Sequence, residues 1–505
     1  MSGRPKPDTA TTRRVVAHAA ASRLLVLTLT VLWRSLSNPY DTSASINPPC
    51  LSLSNQSSHA RDPWFPRIGS AIERGIVWDS VYFVRIAQCG YEYEQAFAFL
   101  PLFPASLFLL SKSVFAPLVP AIGFRATLAL SGYVLNNVAF VLAAVYFYRV
   151  SVLILDDSAA ALRASVLFCF NPASIFYSSL YSESLYALFT FGGLYYMISG
   201  ADFVAILMFA LSGSVRSNGV LNAGYFCFRA MHRAFRRKQF GFAVKATIIV
   251  AVQALCIAAP FGVFQYYGYY NFCRHNSSGK LRPWCKFRIP ILYDYIQSHY
   301  WGVGFLRYFQ LKQLPNFVLA SPILSLAVCS IAQYAKLRPG IFFSLGFRAL
   351  NEEKDIAAVF YSLGTEHRSQ HVRLPQETHI SEVLEGNHLL RHRKHNKKEE
   401  DSDTNHGFKP LDEEVHLTGK HGFYSILVLP FILHMGFMAA VAFFIMHVQV
   451  ATRFLSASPP IYWFTFYLMT STDSTSRKWA YLIWVYFAAY VLIGSLLFSN
   501  FYPFT

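Results

Sequence analysis

Long apolar runs that carry almost no charge recur along this chain, and they constrain its fold more than any other feature. Residues 15–37, 125–149, 241–266 and 315–336 each reach the length of about 17 to 25 residues that a bilayer-spanning helix requires. The runs are continuous rather than alternating, which indicates helices and not a barrel. Only elements that satisfy their own backbone hydrogen bonds survive in lipid. We therefore expect an all-α polytopic membrane protein with about nine to eleven spans.

Composition and charge agree with this class and argue against a nucleic-acid partner. Of the 505 residues, 54% are hydrophobic and 17% aromatic, well above the average for soluble domains. The formal net charge is +17, but the basic residues lie between the apolar runs, with a clear cluster at 229–238. That placement is typical of loops kept in the cytosol. The eight cysteines include no Cys-x-x-Cys pair, so no zinc ribbon or thioredoxin-like site is predicted.

The first apolar run predicts the orientation of everything that follows. Residues 15–37 read as an uncleaved signal anchor behind a basic flank, so the chain reaches the lumen near Ser37. A luminal loop, 38–100, follows. Residues 101–120 are apolar but contain four prolines, and we interpret them as a re-entrant or interfacial helix. The first luminal region then extends over 38–124.

The remaining spans follow from the alternation of apolar and basic segments. A second luminal loop is expected at 267–314, and its Cys273 and Cys285 could form a disulfide, although spacing alone does not fix the geometry. Sequons at Asn55 and Asn276 predict glycosylation in both luminal loops. The predicted spans are 125–149, 164–178, 184–199, 202–215, 241–266, 315–336, 421–448, 461–475 and 479–499.

These boundaries divide the chain into three regions. We predict that residues 1–336 form a catalytic transmembrane module, 337–420 a charged, disordered cytosolic loop, and 421–505 a group of C-terminal transmembrane helices. Within the loop, the run 391–403 is charged and poor in hydrophobes, so we predict that it is disordered. The Asp-x-Asp sequence at 401–403 resembles a metal–nucleotide-sugar motif, but its setting in a disordered run argues against that role.

The most informative polar residue is an acid beside a tryptophan, at Trp78 and Asp79. They lie in an apolar stretch, 75–91, whose spacing suits a helix along a membrane face. A carboxylate at this position is costly unless it has a function. The alternative is that Asp79 simply caps the helix that follows it.

Other polar side chains have no evident structural duty, and the predicted topology places them all on the luminal side with Asp79. Polar groups that converge at one membrane face indicate a site. They are Asn171, Glu183, Arg216, Asn218, His299, Arg307 and Lys312.

The chain lacks the common nucleotide and hydrolase motifs, including the P-loop and the His-Glu-x-x-His helix. Sugar transfer from a lipid phosphate needs no nucleotide domain. It needs a base for the attacking hydroxyl, for which we select Asp79, and cationic groups for the departing phosphate. The candidates for the phosphate are Arg216, His299, Arg307 and Lys312. No clean set of metal ligands appears, so we predict no metal site.

These segments together resemble the GPI mannosyltransferase 2 family. The resemblance covers most of the chain apart from 337–420. It rests on Trp78-Asp79 leading to Gly90-Tyr91, and on 97–104, 170–174, 181–183, 216–219, 295–305, 311–317 and 447–454. The sequence departs from the expected pattern in the charged insert and at Gly302, where the resemblance implies Asn.

The resemblance implies a GT-C-type helical bundle whose luminal loops carry the active site. It implies that dolichyl-phosphate mannose donates the second mannose, in an α1,6 linkage and with inversion, to the GPI precursor at the endoplasmic reticulum membrane. It also implies that Asp79 is the general base. A small accessory membrane subunit is compatible with the sequence. The residues predicted to bind substrate are Trp78, Glu183, Arg216, Asn218, His299, Arg307 and Lys312.

Two alternatives remain at this stage. A transporter or scramblase of lipid-linked sugars could use the same polar face, although placement of the polar groups at one face argues against a route across the bilayer. Another mannosyltransferase that uses dolichyl-phosphate mannose could act on the N-glycan precursor or on another GPI position.

Overall fold

The protein is described by a computed structural model that covers residues 8–41, 46–51, 62–274, 282–361 and 422–502. Throughout these ranges the chain forms helices, and no strand occurs in them. The predicted all-α membrane class is therefore confirmed.

The helices follow one another closely along the chain. The α-helices are α1 (Thr9–Leu36), α2 (Pro66–Glu73), α3 (Ser80–Cys89), α4 (Leu102–Lys112), α5 (Val119–Ile122), α6 (Phe124–Leu155), α7 (Ser158–Cys169), α8 (Ser174–Ser178), α9 (Glu183–Ile198), α10 (Asp202–Val215), α11 (Ala223–Arg237), α12 (Phe240–Tyr269), α13 (Leu292–His299), α14 (Leu314–Leu337), α15 (Pro339–Phe343), α16 (Asn351–Ile356), α17 (Ala358–Tyr361), α18 (Leu429–Phe444), α19 (Ala451–Leu455), α20 (Pro459–Thr470) and α21 (Ser474–Ser499). Short 3₁₀ turns occupy Glu94–Ala98, Ala116–Leu118, Ser217–Asn222, Pro283–Lys286, Leu311–Gln313, Gly422–Tyr424, Ile426–Val428 and Val448–Val450, and a π turn occupies Tyr270–Arg274.

Six helices of the described residues are long and apolar enough to cross a bilayer: α1, α6, α12, α14, α18 and α21. Their limits lie close to the predicted spans. The segments expected at 184–199 and 202–215 form α9 and α10 at nearly the predicted limits, and the segment expected at 164–178 is divided between α7 and α8. All of these helices are shorter than a full span, so fewer full-length spans occur in the described residues than the sequence predicted. The reason is burial, since α9 packs between α6 and α10. A helix enclosed by protein need not match the thickness of the bilayer.

The proline-containing segment after the first loop is bent. Helix α4 and the stretch 116–122 meet at 70°. The hydroxyl of Ser131 donates to the backbone oxygen of Leu107 (3.3 Å), and the ammonium group of Lys112 lies 4.6 Å from the ring centroid of Phe124. Helix α4 therefore runs antiparallel to the first part of α6 and ends where α6 begins. With a length of roughly 16 Å it covers about half a bilayer. This geometry favours the re-entrant interpretation.

A buried arginine ties α1 to the segment that leads into the polar site. The guanidinium of Arg23 donates to the backbone oxygens of Ser174 (2.9 Å) and Cys169 (3.1 Å). It also lies 3.8 Å from the ring centroid of Phe140. Every one of these contacts offsets the cost of burying the charge in an apolar core. Arg23 therefore fixes the turn around α8.

Two disulfides secure the loops on the side of the polar site. Cys273 and Cys285 form the disulfide that their place in one luminal loop allowed. Cys50 and Cys89 are also bonded, a pairing that we did not predict. The Cys50–Cys89 disulfide ties the end of α3 to the segment that follows α1.

A buried carboxylate joins the two predicted luminal loops. Glu94 accepts hydrogen bonds from the indole of Trp284 (2.6 Å) and the hydroxyl of Tyr300 (2.8 Å). An apolar cluster that includes Phe97, Phe264 and Leu292 surrounds this contact. The two loops therefore form one packed cap above the site.

The described part of the charged region, 337–361, is folded, so the predicted disorder does not hold for these residues. It forms α15 to α17, because Tyr361 is buried against the bundle and Arg338, just before α15, pairs with Glu353. Several predictions fall on residues outside the described ranges: the disordered run 391–403, the Asp-x-Asp sequence at 401–403, and the sequons at Asn55 and Asn276.

Candidate active site

A cavity of about 290 Å³ lies where several distant stretches of the chain meet. Aromatic, aliphatic and charged side chains share its wall. The lining residues come from 79–83, 98–100, 181–182, 215–218, 293–303 and 446–454. Polar residues that the sequence scattered over most of the chain are thus brought to one end of the bundle.

Asp79 stands at the N-terminal end of α3 and points into this cavity. It occupies the capping position, yet its side chain makes no capping hydrogen bond. Its backbone N–H instead donates to the hydroxyl of Tyr181 (3.1 Å), and its side chain is 36% exposed. Asp79 therefore stands where a capping residue would stand, but its carboxylate does not cap the helix.

The carboxylate of Asp79 pairs with Arg453, which lies in α19. The Nη1 atom of Arg453 donates to Oδ2 of Asp79 at 2.9 Å. Its Nε lies 3.9 Å from Oε1 of Glu183, too far for a hydrogen bond, and has no hydrogen-bond partner among the described residues. Arg453 thus touches the cavity with donors that are not fully used.

Glu183 supplies the second carboxylate, directly beneath the cavity. It is almost completely buried and pairs with Arg216 through Oε1. Its Oε2 has no partner within the described parts of the chain. A buried carboxylate normally satisfies both oxygens, so this one is incompletely compensated.

The cluster contains as many cations as carboxylates, and its charges act on one another. Burial alone would lower the pKa of Arg453, but the carboxylates of Asp79 and Glu183 hold that pKa above its usual range. Burial, reinforced by the charge of Asp79, raises the pKa of Tyr181 well above its usual value. Arg453 therefore stays charged and Tyr181 stays protonated at any physiological pH.

Uncharged groups complete the wall of the cavity. The hydroxyls of Ser217 and Tyr293 are hydrogen-bonded at 2.8 Å. The Nδ2 atom of Asn218 is buried without a partner among the described residues, which leaves an amide donor for a ligand. Trp301 and Phe99 meet edge to face at 6.0 Å between ring centroids. Aromatic faces beside hydroxyl and amide groups suit a sugar, which has apolar C–H faces and polar rims.

Some predicted site residues reach the cavity and others do not. Asp79, Arg216 and Asn218 line it, and Glu183 supports it from below. Trp78 does not line it. Its ring stacks on Phe501 at 4.6 Å and its backbone has a positive φ of 56°.

The three bases predicted from the second loop lie away from the cavity. His299 stacks on Tyr295 at 4.8 Å between ring centroids. Arg307 donates to the backbone oxygen of Ser298 (3.4 Å), and Lys312 lies on an exposed 3₁₀ turn. None of the three is among the lining residues. Their predicted role in phosphate binding gains no support from this geometry.

Asn171, also singled out from the sequence, has a structural role. Its side-chain amide donates to the backbone oxygen of Phe168, and its side-chain oxygen accepts from the N–H of Ala173, both at 2.8 Å. It stabilises the turn between α7 and α8.

Two cavity residues, His447 and Arg453, were not selected from the sequence. Both lie in a segment that carries the family resemblance, but neither was given a role. His447 donates through Nε2 to the backbone oxygen of Trp301 (2.7 Å) and so fixes the end of the second loop. A charged residue in a short apolar turn at 447–460 was the available signal for Arg453.

Potential metal ligands cluster at one place in the described residues, at Cys50, Cys89 and Glu92. The two sulfurs form the disulfide described above, and Glu92 is paired with Arg85 (2.6 Å). The group is thus used in holding the first loop together.

Comparison with known proteins places the chain in a family. Residues 12–505 match the family described as Mannosyltransferase (PIG-V). The chain is similar to the GPI alpha-1,6-mannosyltransferase 2 of Homo sapiens, with 29% identity over 95% of this chain and 88% of the relative. It is also similar to that of Rattus norvegicus, with 30% identity over 92% and 86%. The GPI mannosyltransferase 2 of Drosophila melanogaster is 27% identical over 98% of this chain and 100% of its own length. No solved structure matches. The chain belongs to the mannosyltransferase (PIG-V) family.

Proposed function

We propose that this protein transfers the second mannose, in an α1,6 linkage, from dolichyl-phosphate mannose to the mannosyl-glucosaminyl-phosphatidylinositol precursor of GPI anchors. Family membership and the names of relatives that match nearly the whole chain support the reaction. The observation in the structure that carries the proposal is the carboxylate of Asp79, which opens into a cavity beside two arginines.

The residues of the cavity divide the chemistry between them. Asp79 accepts the proton of the acceptor's 6-hydroxyl as that oxygen bonds to the anomeric carbon of mannose. The bond from that carbon to the phosphate oxygen breaks, and dolichyl phosphate leaves with the electron pair. Arg216 and Arg453 lie where they can offset the negative charge that grows on the phosphate. Attack from the face opposite the phosphate gives inversion.

The aromatic residues of the segments 97–103 and 266–270 contribute unequally to the cavity. Phe99 faces the cavity, and it supports the proposal that this part of the wall contacts a sugar. Phe97 and Phe103 are fully buried in the packing instead. Tyr266 and Tyr267 are exposed on α12, where they suit the membrane interface.

We place the reaction at the luminal face of the endoplasmic reticulum membrane. The two disulfides support this side, because disulfides persist in an oxidising compartment. A small accessory membrane subunit stays a prediction. The transporter alternative is not favoured, because the matched relatives are named as mannosyltransferases.

The central test replaces Asp79 by Asn, which keeps the size of the side chain and removes the base. We expect a fall in turnover of about 100- to 10,000-fold in microsomes given the one-mannose precursor. Asp294→Asn is the matched control, since Asp294 lies exposed on α13 outside the cavity. Near-normal turnover by the Asp79 variant at equal protein level would remove Asp79 from the mechanism.

Product analysis separates the remaining enzyme alternative. Cells that lack the protein are expected to accumulate the GPI precursor with one mannose, with N-glycan precursors unchanged. Accumulation of a truncated N-glycan precursor instead would assign the activity to a sister reaction.

A further inference from the structure

Arg453 is the most loosely satisfied charge of the site. Of its donors, Nη1 bonds to Asp79, Nε is buried 3.9 Å from Glu183 without a hydrogen bond, and Nη2 donates to no group of the described residues. Its side chain is 17% exposed and lines the cavity. A guanidinium held by a single hydrogen bond can exchange its anion, and its planar fork suits a phosphate.

The charge balance shows what a phosphate would disturb. The two arginines that line the cavity are matched by Asp79 and Glu183. Within the described part of the chain, a lipid phosphate therefore finds both of these arginines already paired and must compete for one. Arg216 is held by Glu183, which is 2% exposed, whereas Arg453 is held by Asp79, which is 36% exposed. Solvent weakens the second pair more, so Arg453 is released more easily.

The same pairing is in conflict with the chemistry. Oδ2 of Asp79 accepts a hydrogen bond from Nη1 of Arg453 at 2.9 Å, whereas a general base needs an oxygen within hydrogen-bond reach of the hydroxyl that it deprotonates. While Arg453 holds Oδ2, this oxygen is not available to the acceptor. Movement of Arg453 to the phosphate would free Oδ2 when the donor is bound.

We propose that Arg453 exchanges one anion for another: it pairs with Asp79 when the donor site is empty and with the donor's phosphate when the donor is bound. This inference rests on the proposed function. Donor binding then exposes a free Asp79 carboxylate, and the acceptor's hydroxyl proton moves to it as the new glycosidic bond forms. The leaving dolichyl phosphate takes the electron pair of the broken bond and gains the negative charge that Asp79 loses. Arg453 is already beside the phosphate when that charge appears.

Binding of dolichyl phosphate to the purified full chain tests the exchange without requiring turnover. Arg453→Gln is expected to weaken this binding about 10-fold or more. Asp79→Asn is expected to tighten it about 10-fold, equivalent to about 1.4 kcal/mol, because Arg453 no longer has to leave a carboxylate. In the Arg453→Gln background, Asp79→Asn is expected to change the affinity less than about twofold. This loss of coupling separates the exchange from simple repulsion between Asp79 and phosphate.

Asp202→Asn is the matched control, since Asp202 pairs with Arg229 outside the cavity. It is expected to leave the affinity for dolichyl phosphate unchanged. If Arg453→Gln does not fold, Arg453→Lys keeps the charge and is expected to weaken binding less. Unchanged or weaker binding by Asp79→Asn, or the same tightening in both backgrounds, would overturn the exchange.

Kinetics provide a second readout that a purely structural role would not produce. Arg453→Lys is expected to raise KM for dolichyl-phosphate mannose with KM for the acceptor unchanged. Equal changes in both KM values would contradict the assignment. If the wild-type chain binds dolichyl phosphate with the expected coupling but forms no two-mannose product, the proposed function fails while the exchange stands.

Discussion

Arginine–carboxylate pairs occur at both ends of the bundle, and they differ in how completely their polar atoms are satisfied. Far from the cavity, Arg229 binds Asp202 through two parallel hydrogen bonds of 2.8 and 2.5 Å. At the cavity, Arg453 uses a single hydrogen bond to Asp79, and one oxygen of Glu183 has no partner among the described residues. The first arrangement is a closed structural contact. The second is open toward a ligand.

The volume of a cavity does not by itself identify the candidate site. A larger cavity, of about 520 Å³, lies beside Leu155, Arg338 and Tyr424. Its arginine is paired with Glu353, and its wall is mostly aliphatic and aromatic. What marks the smaller cavity as the site is unsatisfied polarity rather than volume.

The largest loss of activity is expected from neutralising Glu183, the carboxylate that both cavity arginines approach. Glu183→Gln removes their shared counter-ion, so both guanidinium groups are expected to shift. We expect a loss of about 100-fold in kcat/KM, the size of effect that small misplacements cause. The measurement is mannose transfer by purified protein. Glu353→Gln is the matched control, because it removes the carboxylate partner of Arg338 at the other end, and its kcat/KM should stay near wild type.

A substitution in the Arg229–Asp202 pair should change the stability of the protein rather than its activity. Arg229→Gln leaves Asp202 without its partner, and because the Asp202 carboxylate is partly solvated we expect the free energy of unfolding to fall by about 1.5 kcal/mol. Thermal unfolding in detergent measures this loss. Turnover per folded molecule is expected to stay unchanged, and a large fall in it would show that this pair also serves the reaction.

The smallest effects are expected for the three predicted bases that belong neither to the cavity nor to the Arg229–Asp202 pair. His299→Ala, Arg307→Gln and Lys312→Gln should each change turnover less than about threefold, because none lines the cavity. The assay is the same mannose transfer. A loss above 10-fold for any of them would mean that the second loop closes over the substrate during the reaction.

The sequence predicted well what depends on local pattern. Helices α6 and α14 lie within a few residues of the predicted limits, because the length of an apolar run decides where a membrane helix forms. Asp79 was selected because a single acid among apolar residues is costly, and in the structure it lines the cavity.

What depends on contacts far apart in the chain was not predicted. Arg453 lies 374 residues from Asp79. The residues around Arg453 in the sequence do not indicate that Asp79 is its partner. His299, Arg307 and Lys312 were chosen because they are charged and luminal in the predicted topology, but sequence does not say which way a loop side chain points.

Gly302 shows how a departure from the expected pattern can be explained by the backbone. Its φ is +65°, and the space where a side chain would stand is empty. Asn is one of the few residues besides Gly that adopt this conformation readily. The expected Asn and the observed Gly therefore meet the same requirement for a turn beside Trp301.

The contacts between the first and the last membrane helices have a consequence for synthesis of the chain. The indole of Trp33 donates to the hydroxyl of Ser495 (3.0 Å), and Arg34 donates to the backbone oxygen of Ser499 (3.2 Å). Helix α1 is made before α21 and thus waits in the lipid for a neighbour made more than 450 residues later. A nascent chain stopped before α21 would leave this face of α1 unmatched, so assembly of the bundle is completed only after α21 has been made.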